Sequence, residues 1–178
     1  TSLGVDCVTG DAVLEDGHHV RVTTADGERR LSGRAIILAT GAAPFVPPIP
    51  GLRELDPLTS DTVWGLQAQP KRLLVMGGGP IGCELAQAFA RLGSEVTLID
   101  MAERLLPRED PETSELLAAR FRAEGIDVRL GHKAVKVETL EGRSGVLTAL
   151  TESDSGEEES SLPFDEILVA VGRAARGG

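Results

Sequence analysis

The spacing of apolar and polar positions changes twice along this chain. Up to about residue 38 the apolar positions come in short runs, broken at Gly17, at Asp26 and Gly27, and at Ser32 and Gly33. That spacing predicts a series of short strands. The last run, AIILA at 35–39, is apolar without interruption, as expected of a strand buried on both faces. Residues 42–51, AAPFVPPIPG, carry Pro44, Pro47, Pro48 and Pro50, which favour an extended connector leaving one domain. From Lys71 the pattern alternates between strand and helix. RLLVMG predicts a buried strand. PIGCELAQAFARLG predicts a helix that starts near Pro80, stops at Gly93, and turns Ile81, Leu85, Ala88, Phe89 and Leu92 to one face. EVTLID predicts a second strand. DPETSELLAARFRAEG predicts a second helix, with Asp110 as N-cap, Pro111 in the first turn and Gly125 as its stop. IDVRLG predicts a third strand. Short strands then return as AVKVETL and GVLTALT, with a turn at Glu141 and Gly142. The polar run ESDSGEEESS at 152–161 predicts a solvated hairpin loop, and FDEILVAVG a final strand. No internal repeat of about 20–50 residues is visible.

Composition narrows the picture. The 178 residues are 41% hydrophobic and 26% charged, the balance of a globular chain of one domain or one and a part. Aromatics are 3%, so the core must come from Leu, Val, Ile and Ala. The net charge of −10 argues against nucleic acid or an anionic membrane surface as partner. No apolar run approaches the roughly 20 residues of a membrane span, and TSLGVDC lacks the features of a signal peptide. Cys7 and Cys83 form no metal or CxxC spacing, so no metal site is expected, and few cysteines suggest a reducing cytoplasm. Cys7 is expected to be buried filler in a strand. The abrupt ends read as cuts through a larger protein.

The candidate chemistry sits at 77–82. Gly77, Gly79 and Gly82 fit GxGxxG, after a strand and at the opening of a helix, which is the context that motif requires. Gly77 permits a tight turn, Gly79 has no side chain to block a pyrophosphate, and Gly82 lets helix and strand approach. The helix start then offers N–H groups and a positive dipole end to phosphates. Asp100 closes the second strand, where a carboxylate can accept from adenosine ribose hydroxyls and would repel a 2′-phosphate. Arg104 and Arg108 are the nearest residues that could reverse that preference. NAD is therefore favoured over NADP. Glu84 suits the helix dipole and could also stand near the nicotinamide end. Cys83 shares the helix start, where a thiol pKa can fall, but a small packing residue is the favoured reading.

These stretches together resemble the pyridine nucleotide–disulfide oxidoreductases, the FAD-dependent family of dihydrolipoamide dehydrogenase, glutathione reductase and mercuric reductase. IILATGAAPFVPPIPG looks like the family's ATG motif, GGGPIGCELAQAFARLGSEVTLID like its NAD(P) fingerprint, and FDEILVAVGR like the strand closing its NAD domain. ELAQAFARLGSEVTLI and RLLPREDPE lean toward the mercuric reductase and dihydrolipoamide dehydrogenase branch. The resemblance implies an α/β fold: a Rossmann-like parallel sheet with a three-stranded β-meander, plus part of a split FAD domain. It implies that 1–58 end the first FAD-domain segment, that 59–172 form the NAD(P)-binding domain, and that 173–178 begin the return to the FAD domain. By position, it places Gly77, Gly79, Pro80, Ile81, Gly82 and Glu84 along the pyrophosphate and nicotinamide side, with Asp100 at the adenosine ribose. Ala134 would lie near adenine, and Val171 and Gly172 by the nicotinamide half. Ala12, Thr40 and Gly41 match positions that approach FAD.

The departures shape the functional expectation. The family's N-terminal FAD fingerprint and its CxxxxC redox pair are absent, the GR turn lacks its usual Pro-Asn, and His18, His19 and His132 match no catalytic role and are expected at the surface. The expected function is the NAD(H)-binding portion of a FAD-dependent oxidoreductase that passes hydride from NADH to FAD, inactive by itself. The expected partners are dinucleotide cofactors and the remaining FAD and dimerisation domains. The alternatives are an NADPH-using member of the family and a non-catalytic dinucleotide-sensing module.

Overall fold

The structure, a computed structural model, describes residues 3–153 and 156–176. It contains two compact units, Thr1–Gly41 and Ala42–Gly178. In the first, β1 (Asp11–Leu14), β2 (His19–Thr24) and β3 (Gly27–Ser32) form an antiparallel meander in the order β1-β2-β3. The Asp16 carboxylate closes its first turn by accepting from the backbone N–H groups of His18 and His19 at 2.7 and 2.8 Å.

Two expectations fail in this unit. The run at 35–39 is not a strand, and Ile37 and Leu38 are 90% and 67% exposed. A strand buried on both faces needs a paired neighbour and a covering layer, and among the described residues no strand pairs with this one. Cys7 is likewise exposed and outside any strand, not buried filler.

The second unit begins with β4 (Ala42–Pro44) and β5 (Leu58–Thr59), then a single 3-10 turn at Val63–Gly65. β6 (Arg72–Met76), α1 (Pro80–Leu92), β7 (Glu95–Ile99), α2 (Pro111–Ala123) and β8 (Asp127–Arg129) follow in strand–helix alternation. β9 (His132–Thr139), β10 (Gly145–Ser153) and β11 (Gly156–Phe164) form an antiparallel meander, and β12 (Glu166–Val169) and β13 (Arg173–Ala175) close the chain. The main sheet is wholly parallel, in the order β5-β12-β6-β7-β8. β13 pairs antiparallel with β4, Arg173 opposite Pro44, so the proline-rich connector contributes to a two-stranded ribbon.

Strand alternation builds two cores from one sheet. Leu73, Val75, Val96, Leu98 and Leu168 face α1 and α2, where they meet Cys83, Ala86, Ala118 and Phe121. Leu74, Met76, Ile99, Ile167 and Val169 face the other way, against Leu147, Leu162 and Phe164 of the meander. Both faces are covered, which is why these strands read as unbroken apolar runs. Leu52 and Leu55 seal the meander side.

Helix boundaries follow their punctuation: Pro80 opens α1, Gly93 ends it at φ 104°, and Gly125 follows α2 at φ 84°. Asp110 holds the N-cap position of α2, although its side chain makes no capping bond. The buried face of α1 is Gly82, Cys83 and Ala86, one step round from the expected stripe, while Ala88 and Leu92 are exposed. Gly82 seats closely on the Gly77 carbonyl just past β6, which turns this face inward, and Leu85 and Phe89 pack at its margin. The acidic run is also not a loop. Residues 156–161 belong to β11, and only 154–155 lie outside the described residues. An edge strand with one outward face accommodates glutamates, which disfavour further pairing. Among the described residues no helix is long and apolar enough to cross a membrane.

Candidate functional site

The site grows from the turn between β6 and α1. Gly77 adopts φ +113°, and a Cβ there would come within 2.5 Å of the Ala170 carbonyl oxygen. A Cβ on Gly82 would run into the Gly77 carbonyl oxygen. Both glycines are therefore sterically required. Gly79 differs: its backbone is extended, and a Cβ would meet nothing within 4 Å. The space beside it is open.

α1 starts with the Cys83 N–H donating to the Gly79 carbonyl at 2.9 Å. Pro80 has no N–H to satisfy. The N–H groups of Gly79, Ile81 and Gly82 have no acceptor among the described residues. Unpartnered donors at the positive end of a 13-residue helix suit an anion. The Gly78 carbonyl is already engaged by the Leu106 N–H at 2.8 Å and the Cys83 thiol at 3.3 Å. Burial, then the charges of Asp100 and Glu84, push the Cys83 thiol up to about 12. Cys83 is thus an inert packing residue despite its place at a helix start.

Asp100 lies where β7 ends. One carboxylate oxygen accepts from the Gly78 N–H at 2.5 Å and the other from the Ala102 N–H at 2.7 Å. A carboxylate has about four acceptor directions, so Asp100 keeps capacity for ligand hydroxyls while it braces the turn. The loop after it folds back over the turn, burying Leu105 completely. Arg104 donates to the Pro107 carbonyl at 2.9 Å and stays out of the cavity.

These parts open on a cavity of about 990 Å³ within the second unit, a volume at the upper end of the range for small-molecule and cofactor sites. Of the residues singled out in the sequence, Gly77, Gly79, Pro80, Ile81, Asp100 and Ala134 line it, as do Val171 and Gly172. Gly82 lies behind its wall, and Glu84 is exposed outside it. Ala12, Thr40 and Gly41 belong to the other unit and are exposed. The cavity also takes in Arg108, which the sequence offered as a residue that could reverse the NAD preference, and others that no motif announced. Arg108, Lys133 and Arg173 bring cations, Glu109 an acid, and His132 a ring that the sequence reading had placed at the surface. The signal for His132 was its position at the start of the strand after β8, beside the end of β7: its N–H donates to the Asp100 carbonyl at 2.9 Å. His18 is exposed as expected, and His19 pairs with Asp16 at 2.8 Å. Arg173 donates to the Ser60 hydroxyl, the Asp61 carboxylate and the Ala42 carbonyl at 2.8, 2.9 and 2.6 Å, which ties the ribbon to the loop after β5. Its bond holds the Asp61 carboxyl below the usual carboxylate range.

Open space beside Gly79, unpartnered N–H donors at the helix start and an acid one strand away fit a dinucleotide. Comparison with known proteins agrees. The family model described as pyridine nucleotide-disulphide oxidoreductase matches residues 2–177. The chain belongs to that family. Its relatives are oxidoreductases. The mercuric reductase of Lysinibacillus sphaericus is 40% identical over 168 residues, covering 94% of this chain and 29% of that protein. The dihydrolipoyl dehydrogenase of Chlorobaculum tepidum is 40% identical over 171 residues, covering 94% of this chain and 35% of its own. Among solved structures, a mutant of the HOCl-induced flavoprotein disulfide reductase RclA from Escherichia coli, in its Cu(II) complex, matches with TM-score 0.79 and 31% identity over 94% of this chain and 36% of that one. The chain thus spans about a third of the length of these relatives. The mixed sheet architecture is the FAD/NAD-binding fold of the flavoprotein disulfide reductases, as the sequence motifs implied.

Proposed function

We propose that this chain is the NAD(H)-binding portion of a FAD-dependent pyridine nucleotide–disulfide oxidoreductase. The observation that carries the reading is the set of unpartnered N–H groups at Gly79, Ile81 and Gly82 at the start of α1, with Gly79 and Ile81 on the wall of a cavity that Asp100 also lines and open space beside Gly79. Those donors would hold the pyrophosphate, with Gly77 and Pro80 shaping the turn. Asp100 would accept from the adenosine ribose, and Ala134 would pack near adenine. Val171, Gly172 and the outlying Glu84 would serve the nicotinamide half. Ala12, Thr40 and Gly41 would approach FAD in the full-length enzyme, whose remaining FAD and dimerisation domains are the chain's partners. The chemistry a bound NADH supplies is a hydride destined for FAD. The protein's own part is to bind, orient and exclude water. Residues 59–172 would form the nucleotide domain, flanked by the FAD-domain portions 1–58 and 173–178, in a cytoplasmic enzyme. With no CxxxxC pair, the chain alone would bind dinucleotide and reduce no disulfide.

NADH is preferred because the Asp100 carboxylate would repel a 2′-phosphate. The second reading, an NADPH-using site, is favoured by Arg108 and Lys133 on the cavity wall. Calorimetric titration with NADH and NADPH decides between them, with Gly79→Val as the control that fills the phosphate space. NADH binding tighter than NADPH, and lost in Gly79→Val, supports the proposal. Binding of neither overturns it, and NADH-dependent disulfide reduction by the chain with added FAD overturns its silence.

A further inference from the structure

His132 is a polar cavity residue whose role the nucleotide motif leaves unexplained. Its Nδ1 lies 2.8 Å from the Leu130 carbonyl oxygen. A carbonyl only accepts, so Nδ1 must carry the proton, and in the neutral ring Nε2 is then a bare acceptor. Nε2 has no partner among the described residues. No buried side-chain nitrogen or oxygen there lacks a partner either, so Nε2 is open to solvent. The residue is anchored to the acid that would hold the ribose, since its backbone N–H donates to the Asp100 carbonyl at 2.9 Å. The base of a dinucleotide hangs from that same ribose.

We propose that His132 is a specificity-determining residue that accepts a hydrogen bond at Nε2 from the exocyclic amine of adenine. The proposal rests on the dinucleotide reading above. Elimination among the lining side chains supports the choice. Arg108 and Lys133 can only donate. The Ser60 hydroxyl is engaged by Arg173. Asp100 is committed to the turn and the ribose. Glu109 is the one competing acceptor. Hypoxanthine presents a carbonyl where adenine presents the amine. A hypoxanthine dinucleotide would therefore set acceptor against acceptor, and the site would reject it.

The test is titration with NADH and with reduced nicotinamide hypoxanthine dinucleotide. The wild-type chain is expected to bind NADH about three- to tenfold more tightly, the worth of one neutral hydrogen bond. His132→Leu is expected to erase the ratio, and Glu109→Gln to keep it. In the wild-type chain, the His132 Nε2 resonance is expected to shift with NADH and not with the hypoxanthine analogue, a readout that needs no variant to fold. Equal wild-type affinity for the two ligands overturns the proposal. So does an unchanged ratio in a folded His132→Leu, a collapse in Glu109→Gln instead, or an Nε2 resonance blind to NADH. Failure of NADH to bind at all removes the dinucleotide reading with it, a result distinct from binding without base discrimination.

Discussion

The Gly78 amide donates to the Asp100 carboxylate at 2.5 Å, so the acid that ends β7 also holds the glycine turn after β6. The residue assigned to ribose is thereby a structural brace, and the two roles can be separated. Asp100→Ala orphans the N–H groups of both Gly78 and Ala102. It is expected to cost about 2–3 kcal/mol of stability, given the worth of hydrogen bonds to a charged acceptor, and to weaken NADH binding. Asp100→Asn keeps one acceptor oxygen and should recover part of the stability. Its loss of charge should also narrow the margin of NADH over NADPH. Denaturant unfolding and calorimetry on both variants check this; equal stability of Asp100→Ala and wild type would contradict the bracing role.

The glycines of the turn should part company under substitution. A Cβ at Gly82 would strike the Gly77 carbonyl, which is backbone and cannot rotate away. Gly82→Ala is expected to lose about 2 kcal/mol or more, lowering Tm by about 4–8 °C for a domain of this size. A Cβ at Gly79 meets open space, and the backbone there suits any residue. Gly79→Ala should leave Tm within about 1 °C while reducing dinucleotide affinity. A thermal melt and a titration on each variant separate packing from ligand access, and a Gly79→Ala chain that melts early would refute the distinction.

Where one signal dominated, the sequence foretold the fold. β6, α1, β7 and α2 were legible because covered strands are uniformly apolar and each helix is bounded by Pro and Gly. The same rule misfired at 35–39, because an apolar run reports a need for burial and not the presence of partners; Ile37 and Leu38 stand exposed. β11 was invisible for the opposite reason: its glutamates face solvent on an edge strand, and composition there imitates a loop. At the site, the turn glycines and Asp100 were legible from motif spacing. Arg108 was offered by its nearness to Asp100, whereas His132 and Arg173 reach the cavity from separate elements, and no local pattern joins them.

The two cysteines should differ sharply toward thiol reagents. Cys7 is exposed, whereas Cys83 is buried, donates to the Gly78 carbonyl, and has its thiol pushed up to about 12. The thiolate is the reactive form, so the native chain at pH 8 is expected to label once and quickly, at Cys7. The second equivalent should appear only on unfolding. Mass spectrometry of peptides after timed alkylation reads both rates. Rapid native labelling at Cys83 would show that the helix-start dipole outweighs burial.

Glu124, just past α2, joins α1 and α2. It accepts from Arg91 and Gln87 of α1 and from Arg120 of its own helix. These bonds, Arg91 first, hold its carboxyl down at about 2 against an ordinary 4.5. A depressed folded-state pKa means that the contribution is fully present above about 4.5 and fades as pH falls toward about 2. Glu124→Gln keeps the shape and removes the charge. Its destabilisation relative to wild type should therefore be constant from pH 8 to about 5, shrink through the acid range and vanish near pH 2. Urea unfolding of both proteins across that range measures the difference. Since the cluster fixes α1 against α2, amide exchange in the last turn of α1 should speed up in the variant at pH 7, while exchange at the turn around Gly79 stays unchanged. A stability difference that persists undiminished at pH 2 would mean that packing, and not the charge of Glu124, holds the helices together.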